Sequence, residues 1–230
     1  METTGRHLAV LMPVYNEAGT VAEVLRRVLE QPAVAEVVVV DDGSTDATRG
    51  EVGRMAAEDK RIRLLAHEHN RGKGAALRTG IAALTAPVTV VQDADLEYDP
   101  SEYGDLVTPI LAGRADAVFG SRFIGGQAHR VLYFWHMAGN RFLTLLSNMM
   151  TNLNLTDMEC GYKAFRTEKL RAMRLREDGF GIEPEFAAQA SRLGLRLYEV
   201  GVSYSGRTYA EGKKITWRDG WRALFVIARG

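Results

Sequence analysis

Four short segments, Leu8 to Met12, Glu36 to Val40, Ile62 to Ala66 and Val88 to Val91, are apolar at almost every position instead of every second one. Continuous runs of that length are the pattern of strands buried on both faces. Between them Val21, Val24, Leu25, Val28 and Leu29 recur at helical spacing, the capping-rich Ser44-Thr45-Asp46 introduces a helix through the fifties, and Lys73 to Leu84 forms a small-residue helix. The alternation β-α-β-α-β-α-β predicts an α/β domain whose mostly parallel sheet is covered by helices on both faces. Further on, Leu106, Val107, Ile110 and Leu111 suit a helix and Ala117 to Gly120 a strand. A long apolar-aromatic helix is expected around Arg130 to Met150, a strand at Tyr162 to Phe165, and helices near Glu168 to Met173 and Glu183 to Leu193. Arg196 to Val200 and Val202 to Ser205 read as strands, and Trp217, Trp221, Leu224, Phe225 and Ala228 mark one face of a final helix. No repeat or low-complexity linker divides the chain, so residues 1–230 are expected to form a single domain.

Composition narrows the picture only slightly. The 230 residues carry a formal net charge of zero, which gives no global attraction to nucleic acid or anionic lipid. The single cysteine, Cys160, excludes an internal disulfide and suits a reducing, cytoplasmic compartment. Met1 to His7 is short and polar, unlike a secretory signal, and no unbroken apolar stretch is long enough to span a bilayer.

Candidate chemistry gathers where the apolar runs end. Asp93-Ala94-Asp95-Leu96-Glu97 follows Val88 to Val91, at the carboxyl edge where open α/β sheets bind ligands. Paired hard-oxygen anions there suit Mg²⁺ or Mn²⁺ shared with a diphosphate, although two acids one residue apart are also common in solvated loops. Pro13-Val14-Tyr15-Asn16-Glu17 follows the first run and Asp41-Asp42-Gly43-Ser44 the second. An aromatic ring can stack on a base and a carboxylate can accept from base or ribose; each fragment could equally be a turn or a helix cap. Neither G-x-G-x-x-G after the first strand nor G-x-x-x-x-G-K-[ST] anywhere is present, which weighs against dehydrogenase and P-loop chemistry.

The ordered set LMPVYNE, VVVVDDGSTD, NRGKGAALRTG, VVQDADLEYDP and GSRF resembles the family 2 glycosyltransferases of the GT-A fold, and within them the dolichyl- or polyprenyl-phosphate sugar synthases. The resemblance covers almost the whole chain. It implies a Rossmann-like nucleotide-sugar half, 1–122, and an acceptor half, 123–230. It places Pro13, Tyr15, Glu17 and Asp42 around the base and ribose of the donor, Lys73 in a basic glycine-rich turn near phosphate, and Ala94 between the two donor-facing aspartates. Asp93, Asp95 and Glu97 become the metal set for Mg²⁺ or Mn²⁺, with Asp95 catalytic.

An inverting displacement at the anomeric carbon needs the charge on the leaving diphosphate neutralised, and no nucleophilic residue. A lipid phosphate, with its second pKa at about 6, is already anionic and needs cations instead of a base. Arg122 matches an acceptor-phosphate position of the polyprenyl-phosphate branch, and Arg207, Lys213 and Lys214 match its basic loop. Those cations have plainer readings too, Arg122 as the partner of a structural carboxylate and the lysines as solvated. His129, Arg130 and His136 stand where those relatives carry further arginines. Asp157 falls where hydroxyl-acceptor relatives present a base; orienting the donor sugar and acceptor cations is the favoured role. The resemblance implies a hexose donor, UDP-glucose or GDP-mannose, with UDP-glucose slightly favoured, and polyprenyl phosphate as acceptor. The alternative is a soluble enzyme acting on a hydroxyl, with Asp157 as base. The chain stops after its last predicted helix, so a peripheral protein is expected. Its aromatic helices, with Tyr133, Phe134, Trp135 and Phe142 on one and Trp217 and Trp221 on another, would meet the core, a homodimer partner or a membrane surface.

Overall fold

A computed structural model describes residues 5–125, 130, 133–207 and 217–229. Its centre is a seven-stranded sheet in the order β3-β2-β1-β4-β6-β5-β7. The strands are β1 (Leu8–Val14), β2 (Val34–Asp41), β3 (Ile62–Ala66), β4 (Val88–Val91), β5 (Ala117–Ser121), β6 (Lys163–Arg166) and β7 (Leu197–Gly201). Strands β3, β2, β1 and β4 run parallel. Strand β6 enters antiparallel between β4 and β5, and β7 pairs parallel with β5. All residues of β1 and β4 are buried, as their unbroken apolar pattern requires. Val202 to Ser205, expected as a further strand, pairs in no continuous ladder among the described residues; its Tyr204 carbonyl accepts from the Arg130 N–H at 2.8 Å.

Eight helices surround the sheet among the described residues: α1 (Val21–Leu29), α2 (Thr48–Glu58), α3 (Lys73–Ala83), α4 (Tyr103–Leu111), α5 (Phe134–Thr151), α6 (Thr167–Ala172), α7 (Ile182–Arg192) and α8 (Trp217–Arg229). Two apolar layers result, one centred on Leu8, Val10, Met12, Leu25 and Leu106, the other on Leu11, Leu77, Phe119, Phe165 and Phe186. Helix α3 approaches β1 and β2 closely because Gly80 faces them. A Cβ there would lie 2.2 Å from Leu11 Cδ1 and 3.0 Å from Val40 Cγ2.

Helix α8 departs from the expected face. Ala223, Val226 and Ile227 are buried, whereas Trp221 is 66% exposed and Phe225 56%. Trp221 and Phe225 therefore point outward, and small and branched residues make the packing contact, while the Trp217 side chain lies outside the described residues. Helix α5 likewise leaves Phe134, Trp135 and Phe142 exposed. No helix among the described residues is long and apolar enough to cross a membrane.

Candidate active site

The loops after β1, β2 and β4, together with α5, the 157–161 segment and α7, enclose one cavity of about 1440 Å³. Its lining includes Pro13, Tyr15, Glu17, Asp42, Lys73, Asp93, Ala94, Asp95, Glu97, Arg122 and Arg207. The cavity lies at the carboxyl edge of the parallel strands, where this topology leaves a crevice. Lys213 and Lys214 lie outside the described residues. Asp157 is fully buried and reaches the site through Arg122.

Asp42 shapes the site's wall. Its Oδ1 meets His67 Nδ1 at 2.6 Å and accepts from the Arg71 N–H at 3.0 Å, while Oδ2 accepts from the Gly72 N–H at 2.7 Å. The carboxylate thereby fixes the turn that starts α3. At Gly72 φ is +97°, a conformation costly for any residue with a Cβ. The next glycine, Gly74, lets α3 press on the 177–178 segment, since a Cβ there would sit 2.1 Å from the Glu177 carbonyl oxygen.

That turn delivers Lys73 into the cavity, where its Nζ contacts Asp93 Oδ1 at 2.9 Å and Glu183 Oε1 at 3.0 Å. Burial alone would lower the ammonium pKa, but the Asp93 and Glu183 charges outweigh it and raise it. Lys73 is thus held as a cation, neutralised on the protein side. Arg207 does the same for the other carboxylates, with Nη2 3.1 Å from Glu17 Oε1 and 3.0 Å from Asp95 Oδ2.

Glu97 accepts from the Arg207 N–H at 2.8 Å and from the Tyr204 hydroxyl at 3.0 Å, so it anchors the start of the basic loop. Asp93, Asp95 and Glu97 do not converge as a trio: among the described residues no three acidic, histidine or cysteine side chains gather at an ion-sized point. The donor set nevertheless fits a divalent cation. Burial first, then the charges of Asp93 and Glu97, push the Asp95 carboxyl up to about 7 against the opposing pull of Arg207. Hard oxygens in surplus are what Mg²⁺ or Mn²⁺ takes, with the remaining ligands drawn from phosphate and water.

Arg122 and Asp157 form the other fixed pair. Arg122 Nε donates to Asp157 Oδ2 at 2.6 Å and Nη2 to Oδ1 at 2.8 Å, the Arg122 N–H adds 3.0 Å to Oδ2, and Asn140 Nδ2 donates to Oδ1 at 3.1 Å. Burial tends to raise the Asp157 pKa, yet the Arg122 charge and these donors bring it below the ordinary carboxylate value. The carboxylate partner that the plainer reading allowed for Arg122 is therefore present. The Arg122 guanidinium also lies 5.0 Å from the centre of the Tyr204 ring.

The structure adds residues that the sequence reading did not assign to the site. Glu183 starts α7 and is buried between Lys73 and Lys163. Glu159 lines the cavity, as does Arg141, whose guanidinium lies 5.6 Å over the Phe123 ring. Glu183 carried little signal, because α7 also holds Glu185, Gln189 and Arg192. Glu159 and Arg141 carried none, because their neighbours in space are distant in sequence.

A mostly parallel sheet interrupted by the antiparallel β6, with a carboxylate-rich crevice at its carboxyl edge, fits the glycosyltransferase class. The model of glycosyl transferase family 2 matches residues 9–174, and the chain belongs to that family. Among its relatives is an undecaprenyl-phosphate mannosyltransferase of Micrococcus luteus, 31% identical over 88% of this chain and 85% of its own. Glycosyltransferases AglJ and AglD of Haloferax volcanii are 31% and 32% identical over 87% of this chain, which spans 63% and 33% of their lengths. A glucosyl-3-phosphoglycerate synthase of Mycobacterium tuberculosis, solved with Mn²⁺, UDP and glucosyl-3-phosphoglycerate, superposes with a TM-score of 0.75 over 98% of this chain and 80% of that one, at 23% identity. The likeness establishes the GT-A fold.

Proposed function

We propose that this glycosyltransferase moves a hexose from UDP-glucose or GDP-mannose to polyprenyl phosphate, with inversion at the anomeric carbon. The observation that carries the reading is the state of Asp157. A carboxylate that accepts four hydrogen bonds and is held ionised by Arg122 is a poor proton acceptor. A hydroxyl acceptor needs a base; a phosphate acceptor needs cations. Arg122, Arg130 and Arg141 line the cavity beside the exposed Phe134 and Trp135, a combination suited to an anionic head on an apolar chain. The names of relatives from Micrococcus luteus and Mycolicibacterium smegmatis, a polyprenol monophosphomannose synthase in the second case, support the same acceptor class.

In this reading Pro13, Tyr15, Glu17 and Asp42 border the nucleoside, and residues 1–122 form the donor half and 123–230 the acceptor half. Asp93, Asp95 and the nearby Glu97 would hold Mg²⁺ or Mn²⁺, which when bound neutralises charge on the leaving diphosphate. Lys73 keeps Asp93 in place. Arg207 bridges Glu17 and Asp95, tying the loop that starts at Tyr204 to the donor side. Arg122, aligned by Asp157 and Asn140, offers its remaining guanidinium N–H donors to the acceptor phosphate. The outward aromatic stripes of α5 and α8 would rest on the membrane surface where such a lipid resides.

Release of nucleoside diphosphate from each donor, measured with Mn²⁺ or Mg²⁺ and with or without a short polyprenyl phosphate, tests the reading. Release only when the lipid phosphate is added supports it. Equal release with and without the lipid phosphate, or release stimulated only by hydroxyl acceptors, sinks it.

A further inference from the structure

At the floor of the cavity four charged side chains are joined in sequence: Asp93 to Lys73 at 2.9 Å, Lys73 to Glu183 at 3.0 Å, and Glu183 to Lys163. Each charge in that chain has a counter-charge. Glu159 lies on the cavity lining beside it and belongs to no such pair. Among the described residues no hydrogen bond or ion pair ends on its carboxylate, and its Oε1 is buried without a partner. Burial, reinforced by the charge of Glu183 and only partly offset by Lys163 and Arg122, pushes the carboxyl up to about 7. A buried acceptor left without a donor is destabilising. No donor among the described residues offsets that cost, and the open side of Glu159 is the cavity.

The local backbone limits what that can be. Gly161, two residues on, is pressed against the donor side, since a Cβ there would lie 2.5 Å from Asp93 Oδ2 and 3.2 Å from the Tyr98 ring. The segment carrying Glu159 therefore abuts the aspartate assigned to the diphosphate end of the donor. A second anion, such as a phosphate, is disfavoured beside an acid that already faces the charge of Glu183. A neutral group rich in O–H donors, attached to the diphosphate, is complementary to it.

We propose that Glu159 hydrogen-bonds a hydroxyl of the donor's hexose and thereby sets which sugar the enzyme accepts, a role that rests on the nucleotide-sugar reading above. A site built to pair with a hydroxyl rejects an analogue that lacks it, because the buried acceptor is then left bare. Glu159 is a specificity residue in this account and takes no part in proton transfer at the reacting atoms.

Calorimetric titration with Mn²⁺ present separates the two claims. Wild-type protein is titrated with UDP-glucose, GDP-mannose, UDP and GDP; if it binds no nucleotide sugar, the donor reading fails and this inference falls with it. Given binding, Glu159→Ala is expected to weaken the bound nucleotide sugar at least tenfold, while the matching nucleoside diphosphate stays within twofold of wild type. In a series of singly deoxygenated donors, one member is expected to lose affinity for the wild type and to lose nothing further in Glu159→Ala. Glu159→Gln keeps the side chain's shape and serves as the second variant, with a smaller loss expected in the same direction. The inference is overturned if sugar nucleotide and nucleoside diphosphate weaken together, or if neither changes by more than twofold.

Discussion

Replacing Asp157 with alanine would strip the counter-charge from a guanidinium whose side chain is only 16% exposed. Three of the four hydrogen bonds that end on this carboxylate come from Arg122, at 2.6–3.0 Å, and the fourth comes from Asn140. Removing one member of a buried pair costs about 3–5 kcal/mol, because the survivor remains desolvated and unpaired. In a chain of this length ~1 kcal/mol moves Tm by about 2–4 °C, so a fall of roughly 6–20 °C is expected. Asp157→Asn keeps the shape but loses the charge, and its fall is expected to be smaller. In the double variant Arg122→Met/Asp157→Leu most of the stability should return, since no charge is left buried. Thermal melts and urea unfolding, both followed by tryptophan fluorescence at neutral pH, measure all of these. The reasoning is refuted if Asp157→Asn leaves stability within about 0.5 kcal/mol of wild type while abolishing turnover. That pattern belongs to a base and would favour a hydroxyl acceptor.

Three further outcomes follow from the packing and charges. Gly74→Ala should cost more than Gly80→Ala, because the first meets the Glu177 carbonyl at 2.1 Å and the second chiefly the flexible end of Leu11; for Gly80→Ala overpacking of about 1–3 kcal/mol is offset by up to ~1 kcal/mol of helix propensity, and thermal melts of the pair give the order. Glu183→Gln leaves Lys73 and Lys163 sharing a neutral partner, so a loss of about 3 kcal/mol or more is expected in urea unfolding. Glu159 has a folded pKa of about 7 against an ordinary 4.5, so the folded state binds more protons than the unfolded one between those values and stability declines as pH rises through that window. At ~1.4 kcal/mol per pH unit the decline is at most about 3 kcal/mol, and Glu159→Gln should remove it, gaining on wild type as melts move from pH 4 to pH 8; a constant difference across that range would contradict the assignment.

Strand positions were readable because burial on both faces writes itself into consecutive apolar residues: β3 and β4 begin and end where Ile62 to Ala66 and Val88 to Val91 do. The insertion of β6 between β4 and β5 was not readable, since Lys163–Arg166 carries no local mark of which neighbours it pairs with. Periodicity in α8 revealed a stripe containing Trp221 and Phe225 but could not say whether protein covers it; the packed side proved to be Ala223, Val226 and Ile227. In the cavity, ligand-facing loops were legible from motifs at strand ends, and Asp93, Asp95, Lys73 and Arg122 do line it. Apart from a carboxylate for Arg122, their partners were not. Lys73 meets Glu183 across more than a hundred residues and Glu17 meets Arg207 across 190, and such pairings exist only once the sheet has brought its two halves together.

The central claim is that the sugar ends on a lipid phosphate. Incubating the protein with sugar-labelled UDP-glucose or GDP-mannose, a divalent cation and undecaprenyl phosphate, then extracting with organic solvent, tests it most directly. The account predicts label in the organic phase, dependent on undecaprenyl phosphate, held in a phosphodiester that mild acid releases as free hexose. Label found only in water-soluble products, carried on a hydroxyl and independent of the lipid, would contradict it.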